Sequence, residues 1–436
     1  MTLGRRRAPG ARTTRSGRLV RAAVPVLVAV LAMAGCATDP PSDVSIPIRQ
    51  DRPSAPLISP YPTPQIVSPV DDRKPGAVVS VKDPPQGVDE QLSELGVTVK
   101  RIVYRSTSGV DGAATRTSAI AIIPNGPPPP GGWTMVAYGH GNTGVIPHCA
   151  PSLYSSLLGN AKIIAGTVIK GYAVVMPDLQ GLGEPGPVNP FFDGRTYGYN
   201  MIDSIRAFHA IAPQTLSKKW ISSGLSLGGL ASWGAVDLAN EYGQGLDLLG
   251  GVTVVPAADM TNLVDKAEAG TLTRDQYPVW IYLLQSLSQT YPSQVRLDDF
   301  RSAYAKSKWS ALVECLPVEN PSLTDVLQAR DSLTADDLRP KSQSAADFVR
   351  RVLRQRALPI GRGTAPTLVM YGTSDPLVDP EWTQRAIANS CAESQNLIIV
   401  KRIGETHSNI DSSQTADFLN TLRSGGPTAS NCGNRP

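Results

Sequence analysis

Short apolar runs bounded by glycine or proline alternate with stretches of helical period along most of this chain. The pattern predicts strands over 97–105 and 116–124, paired antiparallel, and a turn at 127–130. Further strands are predicted over 134–138, 172–176, 220–223, 248–255, 366–371 and 396–401. Helices are predicted within 152–170 and over 199–212, 227–242, 381–390 and 412–422. Unbroken apolar runs are what buried parallel strands look like. Their alternation with helices predicts an α/β fold, a mostly parallel sheet covered on both faces. The rhythm breaks between 257 and 362, where helical pieces at 263–270, 279–289, 297–315, 323–329 and 344–355 follow one another without a convincing strand. So much helix between two strands of one sheet reads as an inserted cap. Residues 76–256 and 363–436 then form the core.

Composition adds a compartment and removes some functions. With 41% apolar residues in 436, there is ample material for a core, which excludes bulk disorder. The net charge of +4 is misleading, because Arg5, Arg6, Arg7, Arg12, Arg15, Arg18 and Arg21 crowd the N-terminus. Beyond residue 35, 34 basic residues face 37 acidic ones, a poor footprint for nucleic acid. The Arg-rich start, the apolar stretch 22–34 and the small residues after it have the layout of a secretory signal over 1–35. Met33-Ala34-Gly35-Cys36 resembles a bacterial lipobox, so Cys36 is expected to be lipidated and to anchor the chain to a membrane outside the cytoplasm. The alternative is an ordinary cleaved signal with an incidental cysteine.

Ten prolines between 37 and 75 forbid helix, so 36–75 reads as a semi-rigid tether. Ile58, Tyr61, Ile66 and Val67 suit an arm packed on the body instead. Cys149, Cys315, Cys391 and Cys432 remain, an even number that reads as two disulfides with three possible pairings. None has metal-ligand spacing, and no zinc or other metal is expected.

Gly224-Leu225-Ser226-Leu227-Gly228 carries the chemistry. A strand enters it and a helix leaves it, a sharp turn that exposes a serine hydroxyl at the carboxyl edge of the sheet and needs small flanking residues, Gly224 and Gly228. A serine needs a base, and the base needs an acid to hold its tautomer. His407 follows the last predicted strand, and Asp375 follows the strand before it. Asp379 is the rival acid, but with Pro380 behind it a helix-capping role suits it better. Gly139-His140-Gly141-Asn142-Thr143-Gly144 follows another strand, and its N–H groups can meet an oxyanion beside the N–H of Leu227. Asn142 is the preferred second donor, then Gly141. His140 is expected to support that loop, Asp178 to bond within the next one, and His148 and His209 to be ordinary residues.

With these motifs in place, the chain resembles the secretory lipase family of α/β hydrolases, including actinobacterial members, from about residue 97 to 431. The resemblance rests on His140-Gly141-Asn142-Thr143-Gly144 with Cys149-Ala150-Pro151-Ser152, on Gly171-Tyr172-Ala173-Val174-Val175 through Asp178 and Gly181-Leu182-Gly183, and on Leu246-Asp247-Leu248-Leu249-Gly250. Thr is more usual at Asn142, and His or Tyr and Gln at Leu225 and Leu227. The family implies a helical cap, the triad Ser226, Asp375 and His407, and the pairings Cys149–Cys315 and Cys391–Cys432. A serine ester hydrolase acting on an ester or lipid, with no cofactor, is the expected function. A peptidase of the same fold and a silent binding lipoprotein are the alternatives. Residues 278–284 of the cap either line an acyl tunnel, face lipid or hold the cap together. The sequence leaves the oligomeric state and acyl-chain preference open.

Overall fold

The computed structural model describes residues 62–433 except 89–91, 93 and 316–322. The signal, Cys36, Ile58, Tyr61 and the tether up to residue 61 lie outside the described residues. Among those described, β1 (Val78–Lys82), β2 (Val97–Thr107), β3 (Ala114–Pro124), β4 (Trp133–Gly139), β5 (Ala173–Pro177), β6 (Leu216–Leu225), β7 (Asp247–Val254), β8 (Thr367–Gly372) and β9 (Leu397–Arg402) form one sheet. Its order is β1-β2-β3-β5-β4-β6-β7-β8-β9. The first three strands are antiparallel, and β4 to β9 are parallel to one another.

Side-chain alternation sorts the two faces. Met135, Ala137, Ala173 and Val175 point to one apolar cluster, whereas Val136, Tyr138, Val174 and Met176 point to the other. The helices α1 (Ala161–Ile169) and α11 (Gln414–Ser424) cover the second face. Covering the first are α2 (Gly194–Ile211), α3 (Leu227–Tyr242) and α10 (Pro380–Ala392). This is the expected fold class, with every predicted strand present. Two differences have local causes. Helix α2 starts well before residue 199 because Asp193 caps it, accepting from Thr196 N at 2.7 Å. Strand β1, which the pattern did not single out, pairs with β2.

Part of the proline-rich stretch lies along this body. Val67 N donates to Ile211 O at 2.8 Å, Ile66 packs on the core, and both Asp71 oxygens accept from Arg105 at 2.6 Å. For residues 62–75, then, the packed arm replaces the free tether.

Between β7 and β8 run α4 (Leu263–Ala269), α5 (Gln276–Thr290), α6 (Ala303–Ser307), α7 (Trp309–Leu312), α8 (Leu323–Asp331) and α9 (Gln343–Arg356). Their apolar residues merge with the cluster under α2 and α3, so cap and core share one interior. Val279, Trp280, Ile281, Tyr282, Leu283 and Leu284 are all buried, and Trp280 Nε1 donates to Leu338 O at 3.0 Å. In this structure that segment holds the cap together and presents no lipid-facing surface.

One buried carboxyl ties the returning chain to α3. Asp237 accepts from Ile360 N at 2.9 Å and from Gln395 Nε2 at 2.8 Å. Burial outweighs these bonds and pushes its carboxyl from 3.8 up to about 7. The folded protein therefore keeps a proton that the unfolded chain releases near pH 4, and stability falls as pH rises from there to about 7. Asp237→Asn should flatten that fall, by about 2 kcal/mol between pH 5 and pH 8. Urea midpoints of both proteins across this range check it; parallel curves would refute the protonated state.

Candidate active site

Backbone strain marks the turn between β6 and α3. Ser226 sits at φ 58°, ψ −116°, a conformation that non-glycine residues rarely adopt. Its surroundings hold it there. Ser226 N donates to Val254 O at 2.9 Å, while Ser226 O accepts from Leu230 N at 3.1 Å and Ala257 N at 3.2 Å.

Two glycines make the turn sterically possible. A Cβ on Gly224 would lie 1.9 Å from Gly228 O, and one on Gly228 would lie 1.9 Å from Gly139 O. Neither position admits a side chain. The second contact also presses the end of β4, and with it the loop 139–144, against the first turn of α3.

Asp375 and His407 arrive on the loops after β8 and β9. The loops are joined by Ser374 N to Glu405 O at 3.0 Å, Thr373 N to Arg402 O at 2.9 Å and Gly404 N to Thr373 Oγ1 at 2.8 Å. His407 Nδ1 lies 2.7 Å from Asp375 Oδ2, and His407 Nε2 lies 2.9 Å from Ser226 Oγ. A carboxylate only accepts, so Nδ1 carries the hydrogen and Nε2 accepts the serine hydroxyl. The other oxygen, Asp375 Oδ1, accepts from Leu377 N and Val378 N, each at 2.9 Å. Asp375 is 6% exposed and Ser226 9%, so the hydroxyl is within reach of solvent only narrowly.

The N–H of Leu227 and those of Gly141 and Asn142 donate to no acceptor among the described residues. Asn142 spends its side chain on its own loop, accepting from Gly144 N at 3.0 Å. His140 is fully buried and lies 2.6 Å from Gly141 O and 3.1 Å from Asp178 O, a supporting place. Asp178 accepts from Ser118 Oγ and from the N–H and hydroxyl of Ser152, all within the fold. His148 pairs with Glu314, and His209 lies on α2. The disulfides Cys149–Cys315 and Cys391–Cys432 are the implied pairings, with Cα–Cα of 5.6 and 5.5 Å. The first joins the end of the glycine-rich segment to the cap. It also takes two donors out of a cluster in which His148, Cys149, Glu314 and Cys315 approach within 4.8 Å.

Asp379 departs from expectation. It precedes α10, but its side chain makes no capping bond. Lys266 Nζ, on α4, draws both carboxylate oxygens to 2.9 Å, and Gln276 Nε2 adds a contact at 3.3 Å. Sequence reasoning overlooked Lys266 and Gln276. The pattern Thr273-Arg274-Asp275-Gln276 has the form of a helix-start capping box and is the signal that points to Gln276.

The profile of the secretory lipase family matches residues 155–416, well over half of the chain. The chain belongs to this family. Among curated relatives, "Probable inactive lipase MT1628" of Mycobacterium tuberculosis (strain CDC 1551 / Oshkosh) is 26% identical over 228 residues, 48% of each chain. "Secreted triacylglycerol lipase LIP2" of Malassezia furfur is 29% identical over 188 residues, 39% of this chain and 38% of that one. The chain thus spans about half the length, or less, of the curated relatives it matches. Among solved structures, Candida antarctica lipase A in its closed state matches with a TM-score of 0.65 at 18% identity, covering 86% of this chain and 89% of that one. A ligand-bound form of the rice cell wall degrading esterase LipA from Xanthomonas oryzae matches with a TM-score of 0.61 at 17% identity, covering 80% and 98%. These likenesses show the α/β-hydrolase fold.

Gly228→Ala should break the contact between α3 and Gly139, at a cost of about 3 kcal/mol. A lowered urea midpoint with an altered near-UV spectrum is the expected result. An unchanged midpoint would mean that the close approach is not tight.

Proposed function

We propose that this member of the secretory lipase family is an exported serine hydrolase of carboxylic esters. The observation that carries the reading is the unbroken chain of bonds Ser226 Oγ, His407 Nε2, His407 Nδ1, Asp375 Oδ2, with 2.9 and 2.7 Å at its two junctions. Ser226 Oγ attacks the ester carbonyl as His407 Nε2 takes its proton, and Asp375 stabilises the imidazolium. The carbonyl oxygen becomes an oxyanion held by the N–H of Leu227 and that of Asn142 or Gly141, which have no other acceptor among the described residues. The dipole of α3 favours the same charge. His407 then returns the proton to the departing alcohol, leaving Ser226 acylated. Water, deprotonated by the same imidazole, releases the acid and restores the hydroxyl. These steps use only protein groups and water.

The role of Asp375 over Asp379 follows from charge. Asp379 is neutralised by Lys266, whereas Asp375 has one oxygen on two backbone N–H groups and the other on the imidazole. Export is proposed through the signal at 1–35 with lipidation at Cys36, tested by fractionating cells that carry Cys36→Ala, which should release the protein from the membrane. The cap over 257–362 is proposed to shape the acyl pocket.

A second reading has an observation behind it. The mycobacterial relative is named an inactive lipase, so a silent binding lipoprotein is the alternative. A fluorophosphonate probe separates the two. Wild type should gain one adduct at Ser226 and Ser226→Ala none, while Asp375→Asn should lower kcat/KM by about 10³- to 10⁴-fold. No adduct, and no turnover of p-nitrophenyl esters from C2 to C16, would establish the silent reading. Turnover of amino-acid anilides alone would make it a peptidase.

A further inference from the structure

The start of α5 has more hydrogen-bonding groups than its own capping needs. Thr273 Oγ1 accepts from Gln276 N at 3.2 Å, and Gln276 Oε1 accepts from Thr273 N at 3.1 Å. That reciprocal pair uses each side chain as an acceptor only. Their donors remain, the Thr273 hydroxyl hydrogen and the Gln276 amide hydrogens, and both point into the acid loop. Thr273 Oγ1 donates to Pro376 O at 2.8 Å, and Gln276 Nε2 donates to Leu377 O at 3.2 Å. Gln276 is fully buried, so water does not compete for it.

The two carbonyls belong to particular peptide groups. Pro376 O shares a planar unit with Leu377 N, and Leu377 O shares the next with Val378 N. Those two N–H groups are the ones that grip Asp375 Oδ1, each at 2.9 Å. Each peptide plane is therefore pinned at both ends, by the cap through its oxygen and by the triad acid through its hydrogen. A bond accepted at the oxygen polarises the amide and strengthens the bond its N–H donates. Just beyond, Lys266 and Gln276 hold Asp379, so the turn is fastened at three points, Pro376, Leu377 and Asp379.

We propose that Thr273 and Gln276 are positioning residues for Asp375, through which the cap sets the orientation of His407. This rests on the catalytic reading of the triad. It goes further in making catalysis depend on two cap side chains that touch neither substrate nor imidazole.

Thr273→Val removes the donor to Pro376 O, and with it the acceptor for Gln276 N, at nearly constant shape, whereas Gln276→Glu keeps the acceptor for Thr273 N while removing the amide donors. Measured on the full exported chain, each should lower kcat per fluorophosphonate-titrated site about 10-fold with KM nearly unchanged. Thr273→Ser should restore it. The far-downfield proton resonance expected of His407 Nδ1–H should broaden or move in both variants relative to wild type. Wild-type kcat per titrated site with an unmoved resonance in both variants would overturn the proposal. So would a raised KM at constant kcat, which would place the two residues in substrate binding. A wild type that neither labels at Ser226 nor cleaves any ester would defeat the catalytic reading instead, and the resonance alone would then decide whether the cap holds Asp375.

Discussion

Everything at the carboxyl edge of this sheet depends on backbone meeting backbone where no side chain fits. The positions a Cβ would occupy on Gly224 and Gly228 already belong to the carbonyls of Gly228 and Gly139. Because α3 sits so close to the end of β4, the first turn of the helix and the start of the loop 139–144 are held against each other. Because Ser226 cannot relax out of its strained conformation, its hydroxyl stays above the sheet and does not turn into the helix. Strain of this kind persists only when neighbours over-determine it. Here the hydrogen bonds to Val254, Leu230 and Ala257 do so. Two missing methyl groups thus govern where the hydroxyl, the helix dipole and the free N–H groups stand.

The second constraint is electrostatic. Two aspartates four residues apart share one loop, and their surroundings send them to different tasks. Asp375 is nearly buried, with four lone-pair sites to satisfy, two backbone N–H groups on one oxygen, the imidazole N–H on the other, and no Lys or Arg among the described residues bonded to it. Such a carboxylate favours a positive charge forming at His407. Asp379 is more exposed and has a permanent ammonium in contact, so its charge is already compensated. Lys266 holds both oxygens of the second carboxylate away from any other charged partner among the described residues. Stability and chemistry meet in this loop, since the ion pair that silences one acid also docks α4 on the core.

Legibility in the sequence followed the range of the interactions concerned. The strand-turn-helix around Ser226 was readable because apolar runs, two glycines and a largely apolar helix lie within some twenty residues. Asp375 and His407 were readable from their places after successive strands, since a parallel sheet delivers the ends of its strands to one edge. Strand β1 was harder, because its five residues are mostly half-buried and carry no clear apolar run, and only their antiparallel pairing with β2 makes them a strand. The ion pair Lys266–Asp379 joins residues more than a hundred positions apart. Local grammar correctly noticed that Asp379-Pro380 precedes a helix and then assigned its side chain to a cap. A long-range cation outbid that local bond. Cys149–Cys315 was out of reach of spacing for the same reason and came from family resemblance alone.

The cap's interior limits how the site can open. Val279, Trp280, Ile281, Leu283, Leu284 and Leu287 are each nearly inaccessible, and Ser286 Oγ donates to Asn189 O at 2.6 Å while accepting from Phe191 N at 3.0 Å. Re-exposing one such side chain costs about 1.5–3 kcal/mol. Lifting α5 as a unit would therefore cost on the order of 10 kcal/mol, comparable with the whole stability of an ordinary domain. The short helices α6, α7 and α8 bury far fewer side chains each and are the elements whose displacement is affordable. A rigid α5 keeps in place the peptide planes that grip Asp375.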